Sequence, residues 1–188
     1  MTDNTHIDIA TLAVGPYRYL PVVRSFKLTS ATVHSGSALP TTQLSGIFGV
    51  PGGLDTSPQL SWSGFPPETR SFVVTMYDPQ APTGSGFWHW AVADIPASTT
   101  SLAEGAGAPD GADLPPGAFQ LGGDAGMARY IGGAPPANSG RHEYIITVSA
   151  LDVDKAGIGP DASVAFLGFN IAGHTIARAT LVCPTEPG

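Results

Sequence analysis

Between Phe72 and Ile95 the chain reads FVVTMYDPQAPTGSGFWHWAVADI, and this stretch restricts the fold more than any other. Two apolar runs of strand character, Phe72 to Tyr77 and Trp88 to Ala93, flank a loop carrying Pro79, Pro82, Gly84 and Gly86. Proline cannot donate to a strand ladder and glycine frees the backbone, so the loop ends pairing and the two runs read as a hairpin. Asp78 closes the first run and His89 sits inside the second. A carboxylate and an imidazole on rigid neighbours make a candidate site; the plainer reading is a buried hydrogen bond that fastens the hairpin.

The rest of the chain has the same texture. With 24 Gly, 18 Pro and only 12% charged residues, helical bundles and coiled coils are disfavoured and short strands joined by turns are favoured. A length of 188 residues, 42% of them apolar, suits one domain spanning 1–188 with a substantial core. The net charge of −7, with eight Lys plus Arg scattered singly, offers no footprint for a phosphate backbone, so nucleic acid is not an expected partner. One cysteine, Cys183, cannot form an internal disulfide, which fits a reducing compartment. Asp3 and Asp8 lie where a signal peptide would be basic, and no run of about 18 apolar residues is present. The expectation is a cytoplasmic protein without a transmembrane segment.

Taken in order, residues 1–24 lack periodicity and read as an extended N-terminal arm, of a kind that often joins dimer contacts. FKLTSATV from Phe26 alternates like a half-buried strand, and a second, weak strand is expected over 43–48. Trp62 is expected in the core. Residues 96–126 form a long irregular segment with Asp124 as its polar anchor. YIITVSAL at 144–151 is a strand, and His142 and Tyr144, two residues apart, should share a face. Pro160-Asp161 reads as a helix start, with Val164, Leu167, Ile171 and Ile176 fitting one helix or two short ones, and residues 179–183 close the chain as a strand.

Familiar catalytic motifs are missing: there is no G-x-S-x-G elbow, no phosphate-binding G-x-x-x-x-G-K-[ST] loop and no H-E-x-x-H pair. What remains is a constellation of Asp78, His89, His142, Tyr144 and the glycine turn at 132–134. Three readings stay open. The histidines and the turn's N–H groups could cup a phosphate or carboxylate, with Asp78 charging one imidazole. Two His and one Asp could form a facial metal triad. Or the group is a hydrogen-bonded core network without a ligand.

DPQAP at 78–82, WHW at 88–90, GGAPP at 132–136 and RHEY at 141–144 together resemble the signature segments of the phosphatidylethanolamine-binding protein family. The likeness is strongest to its bacterial Raf-kinase-inhibitor-like branch, especially actinobacterial members, and runs from about Phe26 to Cys183, including SPQLSWSGFP. The resemblance implies an all-β, antiparallel β-sandwich with one or two short helices near the C-terminus. It also implies a small anion pocket lined by Asp78, His89, Gly132, Gly133, Ala134, Pro135, Pro136, His142 and Tyr144. The ligand it implies is a phosphate, phosphoethanolamine or carboxylate, free or as a phospholipid head group, held without a cofactor, metal or catalytic residue. A homodimer is implied too, and the Ala81-Pro82 bond is cis in the pattern. The expected function is therefore a binding module rather than an enzyme. The alternatives are a regulatory inhibitor of a protein kinase or protease and, third, a metal-dependent hydrolase. Three positions depart from the pattern: Gln80 stands in place of a second acid, Ala134 in place of a glycine, and Gly123 in place of an asparagine.

Overall fold

The computed structural model describes residues 16–187. Its two sheets follow from the alternation read above. The larger contains β1 (Arg24–Ser25), β4 (Ser71–Asp78), β5 (Phe87–Pro96), β7 (Phe119–Gln120), β8 (His142–Leu151) and β9 (Thr175–Thr185), in the order β1-β9-β8-β4-β5-β7. The smaller contains β2 (Lys27–Thr29), β3 (Leu60–Ser63) and β6 (Ser101–Leu102), in the order β2-β3-β6. All pairings are antiparallel except β1 with β9, which is parallel, so the larger sheet is mixed where a purely antiparallel one was expected.

The two sheets enclose a common core. Phe72, Val74, Met76, Trp90 and Ile146 of the larger sheet meet Leu28, Leu60 and Trp62 of the smaller. Trp62 and Phe65 pack edge-on against Phe72 at centroid distances of 5.4 and 4.8 Å, so one fully buried ring ties both sheets. Trp62 thus takes its expected core place, with its indole N–H buried and unpartnered. The opposite face of the larger sheet, through Val73, Ala91, Ala93 and Leu151, buries a second cluster with α1 (Val164–Ile171).

This helix starts later than Pro160-Asp161 suggests, because the Ser163 hydroxyl accepts from the Phe166 N–H and caps it. It runs through Gly168 and stops before Gly173, and Ile176, counted as helical by its spacing, belongs to β9. Among the described residues it is the one α-helix, and no helix there is long and apolar enough to cross a membrane. Two more expectations are corrected. Residues 43–48 form no strand: a 3-10 turn at Thr41–Gln43 leads to an isolated bridge between Leu44 and Gly133, and glycines 46 and 49 carry the chain into turns. Of the expected arm, 1–15 lie outside the described residues, while Pro16–Tyr19 form a 3-10 turn rather than extended chain.

Candidate functional site

β4, β5 and β8 lie side by side at the centre of the larger sheet, and their ends meet the DPQAP loop and the GGAPP turn. Asp78 is the last residue of β4, paired with Phe87 at the start of β5. His89 owes its position to a β-bulge. Met76 pairs with Trp90 and Tyr77 with Trp88, which leaves His89 as the extra residue between them. The bulge also separates the flanking tryptophans, Trp90 into the inter-sheet core and Trp88 onto the helix-covered side. The β8 residues His142 and Tyr144 alternate with solvent-distal Ile145 and share the inner face, as their spacing requires.

Asp78 is only 3% exposed and its carboxylate is fully engaged. Oδ1 accepts from the N–H groups of Gln80 (2.9 Å) and Ala81 (3.1 Å), which shapes the DPQAP loop. Oδ2 lies 2.6 Å from His142 Nδ1, with both side chains buried. On its other side, His142 Nε2 is 2.8 Å from the Ser139 hydroxyl, and that hydroxyl donates to the Pro136 carbonyl at 2.6 Å. Both ring nitrogens of His142 are thus engaged, one by a carboxylate and one by a hydroxyl. His142 is thereby a clamp joining Asp78 to the loop after the GGAPP turn.

His89 differs. Its Nδ1 pairs with the Ile131 carbonyl at 3.1 Å, while Nε2 makes no hydrogen bond to the described residues. Burial strips water from its charged form and lowers its pKa to about 4, against the weaker upward pull of the Asp78 carboxylate and of the Ile131 and Gly132 carbonyls. The ring packs against Phe87 at 4.8 Å and edge-on to Tyr144 at 5.2 Å. Burial likewise raises the Tyr144 phenol, which stays neutral and accepts from the Ala134 N–H at 2.9 Å.

A cleft of about 220 Å³ opens over this group. Asp78 and His89 are its titratable residues; Phe48, Phe87 and the loop residues Ala81, Pro82 and Thr83 give it walls, and Ala134 and Pro136 complete the lining. His142, Tyr144, Gly132, Gly133 and Pro135 are not part of that lining and stand behind or beside it. The expected role of the turn is therefore corrected, since its N–H groups are already donated: Gly132 to Asp55 Oδ1 (2.7 Å), Gly133 to the Gln43 carbonyl (3.2 Å) and Ala134 to Tyr144. A Cβ at Gly132 would stand 2.3 Å from the Leu44 carbonyl carbon, so that glycine serves a close chain approach rather than a ligand.

Asp55 and the aromatic walls were not singled out in the sequence. Asp55 is buried, with φ of 51°, and its carboxylate holds both the Ile47 and Gly132 N–H groups. The signal available was an acid directly after the PGGL run at 51–54. Gln80 does not edge the cleft; its side chain accepts from the Glu143 N–H at 3.0 Å and ties the loop to β8. Asp124 anchors its segment as expected, accepting from the Trp88 N–H at 2.8 Å while its own N–H donates to the Trp88 carbonyl at 3.0 Å. A Cβ at Gly123 would lie 2.5 Å from that carbonyl oxygen, so the glycine permits the anchor. The Ala81-Pro82 bond is trans. No group of three His, Cys, Asp or Glu among the described residues is arranged to hold a metal.

Fold and site together define a two-sheet scaffold whose strand ends frame a small His/Asp cleft. The family model for phosphatidylethanolamine-binding protein matches residues 29–186. The chain is 43% identical over 157 residues to the UPF0098 protein YbcL of Escherichia coli, covering 84% of this chain and 85% of that one. It is 43% identical over 155 residues to the Escherichia coli UPF0098 protein YbhB, covering 82% and 96%. The crystal structure of YbcL, described as a new member of the mammalian PEBP family, superposes with a TM-score of 0.84 at 41% identity over 87% of this chain and 99% of that one. The chain belongs to the phosphatidylethanolamine-binding protein family.

Proposed function

We propose that the protein is a non-enzymatic binding module for small oxyanions, phosphate or phosphorylated head groups above all, and that His89 is the group that meets the anion. One observation carries this reading: within the Asp78, His89, His142 and Tyr144 cluster, His89 Nε2 alone lacks a hydrogen bond, and its ring lines the open cleft. Asp78 and His142 hold each other and position the cleft wall, while Tyr144 braces Ala134 at its rim. An anion arriving beside a buried neutral imidazole replaces the missing water and favours the imidazolium, so binding takes up a proton. Once protonated, His89 donates its Nε2–H to the anion in a charge-assisted hydrogen bond.

Affinity should therefore fall as pH rises. Calorimetric titration with phosphoethanolamine at pH 6 and pH 8, on the native chain and on His89→Ala, tests this directly. Tighter binding at pH 6 in the native chain alone supports the proposal, and equal binding in all four titrations rejects it. The cleft is lined within one chain, so the reading holds for a monomer or for the homodimer that forms part of the proposal, as do a single domain and a cytoplasmic location.

A further inference from the structure

On the sheet face turned away from the cleft lies a second cavity, of about 190 Å³. Its register places it there: Arg178 of β9 pairs with Ser149 of β8, which pairs with Val73 of β4, and these residues point opposite to His142, Tyr144 and Val74. Val73, Trp88, Leu167 and Ile171 make the lining mostly apolar. One cation stands among them. Arg178 is 8% exposed, its Nε is buried without a hydrogen-bond partner, and no carboxylate among the described residues pairs with it. Its guanidinium lies 5.1 Å from the centre of the Tyr17 ring, which offsets part of the desolvation but supplies no acceptor. Burial lowers its pKa in consequence.

An unpaired buried guanidinium is costly, and its geometry is that of a carboxylate fork. An apolar cavity of roughly 150 Å³ holds a benzene ring. The helix beside the cavity adds a third observation: Gly168, in the interior of α1, lines the cavity, and a Cβ there would meet nothing within 4 Å. Glycine inside a helix costs about 1 kcal/mol relative to alanine, and no packing contact requires it here. Gly168 is exposed, so it leaves the edge of the cavity uncovered.

We propose that this cavity is a second ligand site, for a compact apolar monocarboxylate of about the size of benzoate, with the carboxylate on the guanidinium of Arg178 and the apolar body between the sheet and α1. This site is independent of the cleft at His89, and its occupancy does not depend on the function proposed there.

The test is calorimetric titration of the full chain with sodium benzoate and, separately, with benzyl alcohol. Saturable one-to-one binding of benzoate, at least tenfold tighter than benzyl alcohol, is expected. Arg178→Met should weaken benzoate at least tenfold, and so should Gly168→Leu, which places a side chain into the open space without touching Arg178. His89→Ala should leave it unchanged. The proposal is overturned if the native chain does not bind benzoate at millimolar concentration or binds both compounds equally. Loss of benzoate binding on His89→Ala overturns it as well, as does unchanged affinity in Gly168→Leu. A change in sedimentation in place of affinity would mark the cavity as a contact between copies and end it too.

Discussion

The imidazole of His89 titrates near 4 in the folded chain, whereas a solvated histidine does so near 6.5. Between those values the unfolded chain binds the extra proton and the folded chain does not, so stability rises with pH across this window and is lost as pH falls through it. The full shift is worth on the order of 3 kcal/mol at most, developed only toward pH 4. Replacing His89 with glutamine removes this dependence. Urea denaturation from pH 7 to pH 4.5 should show the native chain losing its advantage over His89→Gln as pH falls; parallel curves would contradict the burial argument. The Asp78 and His142 side chains answer to a different constraint, since each of their polar atoms already has a partner. Residue types alone could nominate both histidines. They could not say which one is clamped and which one faces the cleft, because that depends on Ser139 and on the Ile131 carbonyl, residues with no chemical signature of their own.

Two turns and one bulge set the geometry of the site, and glycine acts in opposite senses at the turn of residue 132 and in α1. At Gly132 the chain passes against Leu44 and Ser45, with Asp55 gripping its N–H, so Gly132→Ala forces backbone apart and should cost about 3 kcal/mol in chemical denaturation. At Gly168 the helix leaves room, and Gly168→Ala should stabilise by about 1 kcal/mol. Shifts of the same sign from the two substitutions, or a Gly132→Ala chain as stable as the native one, would overturn the packing account. The hairpin from Phe72 to Ile95 was legible because β-branched and aromatic runs bound a Pro/Gly loop, and β8 because of its alternation. The bulge at His89 was not legible: period-2 reading puts Trp88 and Trp90 on one face, and only the pairing with β4 separates them. Residues 43–48 misled for the converse reason. Their apolar content belongs to a compact turn held by Asp55, a few residues on, and by Gly133, far along the chain.

At the scale of the molecule, the sheet order brings together side chains far apart in the chain, such as Asp78 and His142, which are 64 residues apart. That convergence was readable as a resemblance carried by DPQAP, WHW, GGAPP and RHEY, and composition by itself reached only a strand-rich chain. The larger sheet then divides the chemistry, with the His89 cleft on its inner side and the Arg178 cavity on its outer side. The central claim is that an oxyanion in the cleft protonates His89, and the nitrogen-15 resonances of that ring report the event directly. Without ligand the ring should remain neutral from pH 8 to pH 5.5; with saturating phosphoethanolamine it should become protonated within that range. A ring that stays neutral throughout with the ligand bound would contradict the account.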